Sequence, residues 1–478
     1  LRHCREPGRP TADRRQAAKG SDVGIETLRA RVRHQRDELP ALYGDIDFDL
    51  VPERLALEPD DVTDLPASSK VTRADLFADQ DLVDLMATAT MLGDVVCDAY
   101  IALTPELGMH RLIEMARTAC RDGLDAIEDP PEELAAFIAA LEEVPDWIDL
   151  DLVERGARVE RVSAALAAPY VIRGAFLATF INEYAALPMA LTGSLSDKRS
   201  ARRVNETATF FATTVLPGGM RRDGPGFEAA AMVRIMHSMV RYNALRKGTT
   251  WDQARFGIPI PQVDQMPAGL IGAFLTSVEA LRAGRDTFDD DERALIETSR
   301  YRCHLLGLPE ELLPTDPHGI VRVFLARAAT LRKGYDDATC GELVRATMRA
   351  ELRSDRSIPS RIAETFERSF STAFFLRAFL QNDPEMAEQM GIGLSLGDQA
   401  RVAVAGPLIF GRLKAVQLAN KVPPLRPFTD AYVTWTLRQR IRGYGHAEYR
   451  TDASTYADAR QRRAARAEAA DTPDPAAV

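Results

Sequence analysis

The sequence predicts an all-α protein, a single large multi-helix domain, on three observations. Ala, Leu, Arg and Glu dominate the composition, and these are strong helix formers. Apolar residues recur at helical spacing through most long segments, with almost no strand-like alternation. The chain has 478 residues, 46% of them hydrophobic, enough for a large core.

Residues 1–40 are polar and read as disordered or a frayed helix, the first twenty as an ill-defined start. Pro52, Pro59 and Pro66 stand among many Asp and predict an extended arm, so that 1–74 forms an N-terminal arm. Helices are expected over 79–102, 105–121 and 130–143. Pro145-Asp146-Trp147 then makes a turn that opens a helix at about 150–168. The next segment, 170–192, is apolar on most faces and is expected as an unbroken central helix. A helix over 197–216 ends at Pro217-Gly218-Gly219, and Asp223-Gly224-Pro225-Gly226 turns the chain into another that runs to about Lys247. Further helices are expected over 267–283, 289–306, 319–333, 339–352 and 359–379. The main helical domain thus covers 75–380, a helical extension 381–452 and a disordered Ala/Arg-rich tail 453–478.

The formal net charge of −10 argues against a nucleic-acid partner. Val162–Leu195, the most apolar stretch, is interrupted by Arg173 and Glu183, so no membrane-spanning segment is expected. Cys4, Cys97, Cys120, Cys303 and Cys340 are scattered, without a CxxC pair. They read as reduced thiols of a cytoplasmic protein, with no zinc or iron–sulfur site.

One segment stands out chemically. In Met232-Val233-Arg234-Ile235-Met236-His237-Ser238-Met239-Val240-Arg241, Arg234, His237 and Arg241 share a helical face. An imidazole between two guanidinium groups on an otherwise apolar helix has two readings. It is a core histidine with both nitrogens satisfied, or it is an iron ligand beside cations that meet the carboxylates of a porphyrin. On the preceding helix Arg203 and Thr207 project together, with Phe210 and Phe211 beside them. Arg203 could pair with a propionate; the simpler account is a solvated arginine and a threonine bonded to its own backbone. Glu183 is the acid expected to be buried, either as a group for proton transfer or as a hydrogen-bonded structural acid. There is no Glu-x-x-His pair, GxGxxG, Walker A loop, HExxH or GxSxG.

Arg203-x-x-x-Thr207, Leu216-Pro217-Gly218-Gly219 and Arg234-x-x-His237-x-x-x-Arg241 together resemble the latex-clearing protein (rubber oxygenase) family, a superfamily that includes the fungal oxygenase of mycophenolic acid biosynthesis. The resemblance extends from about Asp75 to about Leu380. It implies an all-α fold with a globin-like core that binds haem b. His237 would be the proximal iron ligand, Arg203 and Thr207 would line the haem pocket, and Arg234 and Arg241 would lie beside the ligand, with Arg234 able to hold a propionate. Glu183 would be the base. Glu206 departs from the pattern: rubber oxygenase carries a lysine there that can cap the distal side of the iron. No export signal is seen, so the expected substrate is a small intracellular isoprenoid or lipid that reacts with dioxygen. The alternative is a haem- or lipid-binding protein of the same fold without turnover. A third possibility, a scaffold without cofactor, predicts that Arg234 and Arg241 point to water and that no cavity lies beside His237.

Overall fold

The computed structural model describes residues 12–191, 197–246 and 251–445. The tail expected over 453–478, Cys4 and Lys247 lie outside the described residues. The first helix, α1 (Ala12–Glu38), is polar on average, yet Ile25, Leu28, Val32 and Gln35 recur at intervals of three and four and are all buried. One such stripe is enough to dock a helix, so this segment is part of the core from residue 25 rather than frayed. The Gln35 amide ties α1 inward: it donates to the Met91 carbonyl at 3.0 Å and accepts from Gly93 N at 2.7 Å. The proline-punctuated segment after it is irregular but does not extend away as an arm, since Arg54, Leu55 and Ala56 are buried. It is laced to residues 330–333 by backbone bonds, including Ala56 N to Thr330 O and Lys333 N to Val62 O. The isolated bridges Leu55–Leu331 and Thr63–Arg332 are the β-type pairings among the described residues.

The helix expected over 79–102 is two, α2 (Gln80–Ala89) and α3 (Val95–Ala102). Asp79 and Asp94 each cap a new start by accepting a backbone N–H. At the break a Cβ on Gly93 would lie 2.0 Å from the Tyr43 hydroxyl, so the crossing demands glycine. Next come α4 (Met109–Asp122), α5 (Glu132–Glu142) and α6 (Leu150–Leu166), close to expectation.

The expected central helix over 170–192 is corrected. The chain bends by 83° between Leu150–Tyr170 and Ile172–Phe180, and a separate helix occupies Glu183–Leu191. Two polar side chains account for this. Arg173, fully buried, donates to Glu364, Glu367 and the carbonyls of Thr347 and Ala350, which fixes a short helix (Ile172–Leu177) against the later chain. Asn182 accepts from Tyr184 N at 2.9 Å and donates to Asp64 and to the Arg332 carbonyl, offering the backbone a local alternative to helix.

Helices α7 (Asp197–Thr214) and α8 (Pro225–Leu245) follow, side by side. Leu216-Pro217-Gly218-Gly219 makes their connection. Gly218 has φ +65°, and the Gly219 carbonyl accepts from Gly226 N and Phe227 N at 2.7 and 3.0 Å. Then come α9 (Gln262–Arg282), α10 (Asp290–Leu305), α11 (Pro317–Thr330), α12 (Ile358–Ala378), α13 (Leu396–Asn420) and α14 (Arg426–Tyr444). The main core gathers α3, α5 and α8 around Tyr100, Phe137, Ile235 and Met239. A second cluster surrounds Phe176, Phe180 and Phe375. A third seats Val433 and Leu437 of α14 on Val162 and Leu166 of α6.

Gly156 sets how closely α6 and α10 approach: a Cβ there would lie 1.9 Å from the Ala294 carbonyl and 2.2 Å from Thr298 Oγ1. Gly156→Val is therefore expected to force these helices apart and to destabilise the protein by about 1–3 kcal/mol. An unchanged thermal midpoint would rule out the tight crossing.

Candidate functional site: the His237 helix

Helix α8 is buried almost throughout, and its two arginines fix its orientation. Arg234 bonds both oxygens of Asp94, with Nη2 to Oδ1 at 2.8 Å and Nε to Oδ2 at 2.5 Å. Arg241 Nε lies 3.0 Å from both oxygens of Asp98, and its Nη1 and Nη2 donate to the Ile260 carbonyl and Ser238 Oγ. Tyr43 donates its hydroxyl to Asp98. All four charged side chains are buried. Burial pushes the Asp94 carboxyl toward the neutral form, but the Arg234 guanidinium outweighs it and holds its pKa below the ordinary value. At Asp98 burial wins over Arg241, and the pKa is raised.

His237 lies between the two pairs. Its Nδ1 is 2.9 Å from Gln265 Oε1 on α9. Gln265 Nε2 in turn donates to Gln262 Oε1 at 2.7 Å, and Gln262 Nε2 donates to the Gly93 carbonyl at 3.2 Å. A backbone carbonyl can only accept, so the chain has one polarity from end to end. Gln265 presents its oxygen to the ring, Nδ1 carries the proton, and the lone pair is on Nε2. No partner for Nε2 occurs among the described residues. Burial and the Arg241 charge lower the pKa of His237 to about 4, against a smaller opposing effect of the Gln265 bond, so the ring is neutral at physiological pH.

On the facing helix α7, Arg203 is buried and donates from Nη1 to Glu206 at 2.8 Å and to Met236 Sδ at 2.7 Å. The structure thus brings Arg203 to the residue next to His237. Thr207, Phe211, Met236 and His237 all keep some accessible surface, while most of their neighbours on the two helices are buried. Cavities of about 670 and 540 Å³ open elsewhere, beside α14 and at the start of α6.

Three expectations change. Arg234 and Arg241 do not reach for an external carboxylate, because each is committed to an aspartate of α3. They do not point to water either, as a plain scaffold would have it. Glu183 does not sit within an unbroken apolar helix. It opens Glu183–Leu191, pairs with Arg255 at 2.9 Å, and its N–H donates to the Gly334 carbonyl. Neither partner belongs to α7 or α8. Asp94, Asp98 and Gln265 were missed. The two acids had a signal, since Asp94-x-x-x-Asp98 is an acidic i, i+4 pair in an apolar helix; Gln265 had none. Two histidines outside this helix are also bonded: His304 contacts the Glu143 carbonyl and His318 contacts Asp286.

With this geometry in hand, comparison with known proteins is direct. The family described as "ER-bound oxygenase mpaB/B'/Rubber oxygenase, catalytic domain" matches residues 160–410. The chain belongs to this family. It is an oxygenase by that membership. The match begins later than the resemblance at Asp75 and extends into α13. The chain is also similar in fold to a solved structure, "Structure of Latex Clearing Protein LCP in the closed state", with 17% identity and a TM-score of 0.50 over 74% of this chain and 91% of that one. No curated protein matches.

Two measurements probe the site. Asp94→Ala leaves the Arg234 charge buried without its acid, and a loss of about 3–5 kcal/mol in urea unfolding is expected. His237 is harder to protonate when folded than in the unfolded chain, so protons favour unfolding. Its contribution is whole above pH 6.5, the ordinary value, and declines as pH falls to about 4. The loss across this window is on the order of 2–3 kcal/mol, and His237→Phe should flatten it; equal pH slopes for the two proteins would contradict the assignment.

Proposed function

We propose that this oxygenase uses haem b, which His237 would hold through its iron, and acts with dioxygen on an apolar, unsaturated substrate of the isoprenoid or lipid type. The observation that carries this reading is the state of His237: neutral, with Nδ1–H held by Gln265 and the Nε2 lone pair unclaimed. A haem ligand needs that tautomer and a second partner of that kind. Haem b would supply dioxygen activation when bound. The chain's own residues orient and insulate. Gln265 and Gln262 fix the ring plane. Asp94 and Asp98 neutralise the two arginines, so that no unpaired cation competes for the imidazole. Arg203, beside Met236, would meet a haem carboxylate only by exchanging its Glu206 partner for it. The Thr207 hydroxyl has no hydrogen-bond partner among the described residues, and it stands one turn along from Arg203, a place from which it can serve a bound ligand. Glu183, paired with Arg255, supports no role as base in this reading. Four buried free thiols accord with a cytoplasmic setting.

The optical spectrum of the purified protein after haem reconstitution decides the cofactor. A Soret band is expected in the wild type, and a shifted or lost band in His237→Ala. No band, or the same band in both, sinks the assignment. Oxygen uptake with squalene then tests the substrate class: binding without uptake would favour a carrier that has lost the chemistry.

A further inference from the structure

Helices α13 and α14 form a hairpin at the edge of the molecule with an unusual outer face. Val404, Leu408 and Leu418 are spaced along one side of α13, Val422 follows in the turn, and all are exposed, Leu408 to 73%. The stripe continues through the turn onto α14 as Leu425, Phe428, Tyr432 and Trp435, with Phe428 exposed to 74% and Trp435 to 61%. The opposite sides are docked. Gly406 of α13 faces Phe370, and Val433 and Leu437 of α14 are buried on α6. Helix α13 is long and apolar enough to cross a membrane, with 6% of its apolar window buried. Its docking on the body makes crossing incompatible with this fold, whereas lying in an interface is not.

Charge identifies the surface that would cover this face. Residues 396–444 contain eight Lys or Arg against Asp398 and Asp430, a net +6, in a chain of net −10; the remaining residues therefore carry −16. Lys421 and Arg426 flank the apolar turn, and both are exposed. A second copy of the same face would bring +6 against +6, while an anionic surface is complementary. Along α14 the cavity of about 670 Å³ is lined by Arg158, Arg161, Arg438 and Arg442, which outnumber its acids Glu154 and Asp430, and by Trp435. Within it Arg161 is 3% exposed, and its Nη2 is buried without a hydrogen-bond partner, 3.7 Å from Glu154. A buried guanidinium nitrogen that lacks an acceptor suits a phosphate oxygen.

We propose that the α13–α14 hairpin is a docking surface for an anionic lipid leaflet. The Leu425–Phe428 turn and Trp435 enter the headgroup–acyl boundary, Lys421 and Arg426 meet the surface charge, and the Arg161 groove receives one lipid phosphate. The proposal does not depend on the haem assignment.

Sedimentation of the full chain with vesicles tests it. Binding to phosphatidylcholine vesicles containing phosphatidylglycerol is expected, with weak binding to pure phosphatidylcholine and release by high salt. Phe428→Ser, and Lys421→Glu with Arg426→Glu, are each expected to weaken binding by about tenfold or more. These positions are exposed, and an unchanged melting curve checks the fold. Trp435 fluorescence should shift to the blue on anionic vesicles, judged against Trp435→Phe. Equal affinity for neutral and anionic vesicles, no binding to either, or a dimer in solution that Phe428→Ser dissolves would overturn the proposal.

Discussion

The site depends on one constraint, the two buried arginine–aspartate pairs that join α3 to α8. Their geometry is redundant in a useful way. Asp94 and Asp98 are one turn apart, and Arg234 and Arg241 are two turns apart, so both pairs can close only at one rotation and one height of α8 against α3. A single pair would leave the helix a hinge. Such pairs are weak sources of net stability, because desolvation consumes most of the attraction. What they fix is direction, and His237, between the two arginines in sequence, inherits it. The imidazole must point at Gln265, and the backbone carbonyl of Gly93 then sets its tautomer through two amides.

The same loop, 90–94, serves both tasks. Gly93 lends its carbonyl to Gln262, its N–H to Gln35 and its missing side chain to Tyr43. Asp94 begins α3 as a cap and holds Arg234 as a counter-ion. Helix α1 therefore bears on the site through Gln35, although it lies before the part of the chain that the family match covers.

Most helices were legible in the sequence, because helical periodicity and capping residues are local signals. His237, Arg203 and the Leu216–Gly219 connection were legible for the same reason, as spacings within forty residues. What failed was non-local. The break at 170–182 arises because Arg173 and Asn182 find partners some 120 to 195 residues away in the chain. Arg234 and Arg241 looked available because their acids lie about 140 residues upstream. Helix α1 looked frayed because averaged polarity hides a stripe of four residues.

Glu206 shows how a departure from a family pattern can be read physically. The resemblance puts a lysine at this place. Here a buried glutamate bonds the buried Arg203 three residues earlier, on the same helix. A lysine would set a second cation beside Arg203, close to an imidazole that burial and Arg241 already keep neutral. The carboxylate reverses that balance on the α7 side of the seam, so that Arg203 and Glu206 nearly cancel each other, as do the two pairs on the α3 side. The α7 side then adds little net charge near His237, and Arg241 remains the main charge acting on the ring. A charged group that enters beside Arg203 would have to displace this ion pair.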